Sequence, residues 1–157
     1  MKSKFIKVRY HENETGWVEK LNSKSYRVSN IPILAKNINL DDVVTIGKEQ
    51  EDGFKCVVDI KEIKLHTKAM FSYSEIGDFR QIVEKYEQQE FQVEGLLKPN
   101  CDDKGEYMRG MANVACNLNK KELNQILKQF GAKIVSYIRR WIVTGVIYEY
   151  ICIVSRY

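Results

Sequence analysis

From Phe5 to Ile60 the chain never holds one hydrophobic rhythm for long, and this limits its folds more than any other feature. Short β-prone runs recur: Phe5-Ile6-Lys7-Val8-Arg9-Tyr10, Trp17-Val18-Glu19-Lys20-Leu21, Ser25-Tyr26-Arg27-Val28, Val43-Val44-Thr45-Ile46 and Phe54 to Ile60. Turn-forming clusters separate them: His11 to Gly16, Asn30-Ile31-Pro32, Asn39-Leu40-Asp41-Asp42 and Glu51-Asp52-Gly53. Pro32 has no amide proton to give a ladder, so pairing stops there. Many short strands at this spacing predict a small bent sheet or partial barrel over residues 1–64.

Past residue 64 the rhythm changes. Ile76, Phe79, Ile82, Val83 and Tyr86 form one helical stripe, which predicts a helix from about Ser74 to Gln88 with Ser74 as its cap. A second helix has all its punctuation. Asn119 stands at the cap position with Glu122 three residues on. Leu123, Ile126, Leu127 and Phe130 trace the buried face, and Gly131 stands where a left-handed residue ends a helix. Strand-like runs at 65–73, 90–97, 107–118, 133–143 and 146–154 surround the two helices. The order β-α-β-β-α-β plus a strand predicts a ferredoxin-like part over 65–157, with an α+β class for the whole and the β-rich part packed upon it.

Charge and chemistry narrow the function by exclusion. Lys and Arg number 25 against 21 Asp and Glu, a net charge of +4. The excess is +2 in residues 1–64 and +2 in residues 65–157, so neither part concentrates basic charge as a dedicated nucleic-acid binder does. Cys56, Cys101, Cys116 and Cys152 are far apart and form no Cys-x-x-Cys pair, which predicts free thiols and a cytoplasmic location. The apolar stretch 134–154 is interrupted by Arg139, Arg140 and Glu149, so no membrane span is expected. His11 and His66 are the only histidines, and no Gly-rich phosphate loop is present. His66-Thr67-Lys68 is the nearest approach to a catalytic set, but alternation along a strand turns Thr67 away from its neighbours. No catalytic residue, cofactor or metal site is therefore predicted, and the chain is not read as an enzyme.

The segment Tyr26-Arg27-Val28-Ser29-Asn30-Ile31-Pro32-Ile33-Leu34-Ala35, followed by Leu40-Asp41-Asp42-Val43-Val44, resembles a bacterial family of unknown function. That family is marked by an Asn-Ile-Pro turn and an Asp-Val-Val strand start. The resemblance covers the first part of the chain and implies architecture rather than a catalytic residue. Small bacterial proteins of this kind often act as immunity proteins that bind and neutralise a toxin. The expected function is thus a protein-binding module, with Asp41, Asp42, Glu51, Asp52, Asp102 and Asp103 as rim charges and Trp17 and Tyr107 as anchors. The alternatives are a nucleic-acid-associated regulatory factor that uses Arg139, Arg140 and nearby tyrosines and, ranked last, an unrecognised enzyme.

Overall fold

A computed structural model describes residues 4–74, 76–86, 90–95, 100–101 and 108–153. The chain divides into two compact units. The first comprises Met1–Leu65 with Arg140–Tyr148, and the second His66–Arg139 with Glu149–Tyr157. The first break falls beside the expected boundary at residue 64. The inclusion of the hairpin tip Arg140–Tyr148 in the first unit has no local signature in the pattern of residues.

The first unit is built on a five-stranded meander: β1 (Phe5–His11), β2 (Glu14–Lys20), β3 (Tyr26–Val28), β4 (Val43–Glu49) and β5 (Lys55–Glu62). Neighbouring strands run antiparallel, and the sheet closes when β1 pairs in parallel with β5, Val8 opposite Lys55 and Arg9 opposite Cys56. An odd number of alternating strands must close through one parallel pair. The β1–β2 turn is only Glu12-Asn13, so β2 starts earlier than the polar composition of residues 11–16 predicts. Inward positions alternate with outward ones. Val8, Tyr10, Val18, Val28, Val44 and Ile60 fill the interior, and Ala35 and Ile38 from the β3–β4 connection join the same cluster.

The remaining strands form an antiparallel sheet, which belongs to the second unit except for the hairpin tip, Arg140–Tyr148. Its strands are β6 (Thr67–Tyr73), β7 (Phe91–Gly95), β8 (Asn100–Cys101), β9 (Met108–Cys116), β10 (Lys133–Val143) and β11 (Val146–Ile153). They lie in the order β11-β10-β6-β9-β7, with β8 paired to β9 off that path. Helix α1 (Ile76–Tyr86) connects β6 to β7, and α2 (Lys120–Gln129) connects β9 to β10. Ile82, Leu123 and Leu127 are fully buried against Phe71, Val93, Val114 and Ile134, while Phe130 is only partly covered. The capping box is present in both directions: the Glu122 amide donates to Asn119 Oδ1 and the Asn119 amide to Glu122 Oε2, each at 2.9 Å. Gly131 is left-handed at φ 68°, and Phe130 forms the C-cap before it.

This architecture corrects the expected α+β class with its ferredoxin-like part. Among the described residues strand far outweighs helix, and the first unit is a closed barrel rather than a bent sheet or partial barrel. Among the described residues the second unit is an antiparallel sheet with two helices, carried past a six-element plan by β8 and β11. The reason is local. Helical periodicity holds over only 11 and 10 residues, whereas β10 and β11 together hold strand character through the tight Thr144-Gly145 turn, where φ is 50° and 78°.

Candidate functional site

The best-constructed surface lies on the barrel, where the β3–β4 connection meets β2. Asn30 organises it. Its Oδ1 accepts from the Trp17 amide at 2.9 Å and from Tyr10 Oη at 2.9 Å, and Tyr10 Oη also lies 2.6 Å from the Trp17 carbonyl. The Ser29 amide donates to that same carbonyl at 2.9 Å. Gly16 leaves room for this arrangement, since a Cβ there would collide with the Tyr10 ring and the Asn30 amide group. Glu14 holds the other end of the loop. Its carboxylate accepts the Ile33 amide at 2.8 Å and the Leu34 amide at closer range. Main-chain donors gripping a carboxylate make strong, directional contacts.

These ties hold three large apolar side chains outward. Trp17 is 50% exposed, and Ile33 and Leu34 are 46% each. Trp17 lies on the outer face of the barrel opposite Lys7, in line with the Arg9–Thr15 pair. Arg9 makes an ion pair with Asp52 and lies 5.4 Å over the Phe54 ring, which brings the acidic β4–β5 turn beside that face. The Asp52 carboxyl is held below its ordinary range, chiefly by the Phe54 amide that donates to it; burial opposes this, and the Arg9 guanidinium adds to the lowering. Glu51 next to it is exposed.

The residues predicted from sequence fall into different places. Trp17, Glu51 and Asp52 share the surface just described. Asp41 is half-buried at the start of β4 with φ 63°, a turn position rather than an open rim. Asp42 is a correction, because it is fully buried and no partner can reach it. It forms a bidentate pair with Arg140, at 2.7 Å to Nη1 and 2.9 Å to Nη2, and also accepts the Asn39 amide at 2.8 Å. Asp102, Asp103 and Tyr107 lie outside the described residues. Glu14, Ile33 and Leu34 were missed. Glu14 reads as one more turn residue, because its partners lie 19 and 20 positions away.

The cations of the alternative reading are occupied internally. Arg140 is fully buried and also donates to the carbonyls of Asn37 and Leu65 at 2.6 and 3.1 Å. Arg139 donates to Thr67 Oγ1 at 2.9 Å and to the carbonyls of Asn117 and Leu118. Thr67 is itself buried, its hydroxyl donating to the Leu118 carbonyl at 2.7 Å, and Lys68 is 4% exposed. Among the described residues no three His, Cys, Asp or Glu side chains gather as metal ligands, and no helix is long and apolar enough to cross a membrane. No protein-family model, curated protein or solved structure matches the chain.

Proposed function

We propose that this chain is a non-catalytic protein-binding module that occupies its partner through Trp17, Ile33 and Leu34, with Glu51 and Asp52 at the rim. The observation that carries the reading is the half-exposure of three large apolar side chains on backbone fixed by Asn30 and Glu14. Side chains already held in place lose little freedom on binding, so more of their burial appears as affinity. Tryptophan is among the residues most enriched at binding hot spots. The acidic turn beside them favours a partner with a basic surround. A toxin domain that cleaves nucleic acid has such a surround because its substrate is a polyanion. Inhibition by an immunity protein is the form of binding we propose.

The test is co-expression with the product of the neighbouring gene, followed by calorimetry on the purified pair. Trp17→Ala should weaken binding by at least about 2 kcal/mol, roughly thirtyfold. Reversing Glu51 and Asp52 to Lys should act mainly on the association rate, and less so at high salt. A complex untouched by Trp17→Ala overturns the proposed surface. A chain that forms no complex and instead retains RNA would favour the nucleic-acid reading.

A further inference from the structure

The six-stranded sheet carries a different unpartnered feature at its edge. Strand β11 is paired on one side to β10, and among the described residues no strand lies on its other side. Its sequence, Val-Ile-Tyr-Glu-Tyr-Ile-Cys-Ile, has one charge, no Pro and no Lys. Val146 is 52% exposed, Tyr148 46%, Tyr150 55% and Ile151 44%. Tyr148 stacks on Trp141 with ring centroids 6.1 Å apart, and Tyr150 meets Tyr137 edge-on at 6.5 Å, so the strand's aromatic side chains are held in position. Edge strands are ordinarily guarded by charge, Pro, short length or cover, because their free main-chain groups recruit other strands. An eight-residue edge with a single carboxylate of its own has few of these guards, a cation set against it being Lys120, whose Nζ lies 3.1 Å from Cys152 Sγ.

We infer that β11 pairs antiparallel with β11 of a second copy of this chain, about a two-fold axis through Tyr150. In an antiparallel pair, opposed residues share a face, so a two-fold pairing must centre on one residue facing its twin. Centring on Glu149 sets two carboxylates against each other, which is unfavourable. Centring on Tyr150 sets tyrosine on tyrosine, Tyr148 against Cys152 and Glu149 against Ile151, with no like charges opposed and nearly the whole strand engaged. Aromatic cross-strand pairs are among the more stabilising kinds. The strand is therefore complementary to itself in the register that uses most of it. This rests on the edge of β11 and is independent of the barrel surface.

Sedimentation velocity of the full chain over about 1 to 200 μM, a span that brackets weak self-association, should show a reversible monomer–dimer equilibrium. Tyr150→Lys opposes two ammonium groups across the axis and should raise the dimer Kd about tenfold or more. Far-UV circular dichroism is the check that the variant remains folded. As a second variant, Tyr150→Cys should form a covalent dimer under mild oxidation, because the opposed Cβ atoms lie near disulfide reach, whereas Ile33→Cys on the barrel should not. A wild-type chain monomeric throughout overturns the inference. So does a dimer whose Kd is unchanged in folded Tyr150→Lys, or one in which Ile33→Cys cross-links as well as Tyr150→Cys.

Discussion

Replacing Asp42 by Ala tests a fully buried ion pair, that of Asp42 with Arg140. Both partners are fully buried, and the guanidinium meets the carboxylate through two bonds of 2.7 and 2.9 Å. Removing the carboxylate takes from Arg140 both of these charged bonds, and from the Asn39 amide the acceptor it meets at 2.8 Å. Breaking a buried pair from one side costs about 3–5 kcal/mol, and Asp42→Ala also takes away the bond from the Asn39 amide. Arg140→Met should cost about the same, since it leaves the carboxylate buried with the charge unbalanced. The double variant Asp42→Ala/Arg140→Met removes both charges and should lose about 3 kcal/mol less than the sum of the single losses. Urea unfolding followed by tryptophan fluorescence is the fitting assay. Trp17 and Trp141 both belong to the unit that contains the pair, so the signal follows that unit even if the other unfolds separately. A single-variant loss below about 1 kcal/mol, or losses that simply add, would refute the reasoning.

Glu14→Ala should cost about 1–3 kcal/mol through the stranded amides, and the Ile33 and Leu34 amides should exchange faster with deuterium, seen residue by residue in NMR; unchanged exchange would show that the carboxylate does not hold the loop. Burial pushes the Cys116 thiol up to about 11, so at pH 8 only about one molecule in a thousand carries the thiolate. Iodoacetamide should therefore modify Cys116 only after denaturation, while the half-exposed Cys56 and Cys152 react in the native protein, as peptide mass mapping would report; labelling of Cys116 at the rate of Cys56 would refute this.

The sequence by itself determined the elements whose cause is local. Helix α2 was legible because Asn119, Glu122, the Leu123–Leu127 stripe and Gly131 act within a few residues of one another. The strands of the barrel were legible for the same reason: alternation and turn chemistry are short-range, and Trp17 showed itself as a large aromatic in a strand. What joins distant positions was not. Closure of the meander depends on β1 meeting β5, a pairing with no signature in either run. Asp42 looked like one of several solvated acidic turn residues, and Arg140 like half of a cationic pair. Only the tertiary structure brought them together across 98 positions and exchanged water for each other as their solvent. The same holds for Glu14 and the Ile33 amide, 19 positions apart. A charged side chain has the same sequence signal whether it faces water or a buried counter-charge, because the folded environment, not the residue type, decides which partner satisfies it.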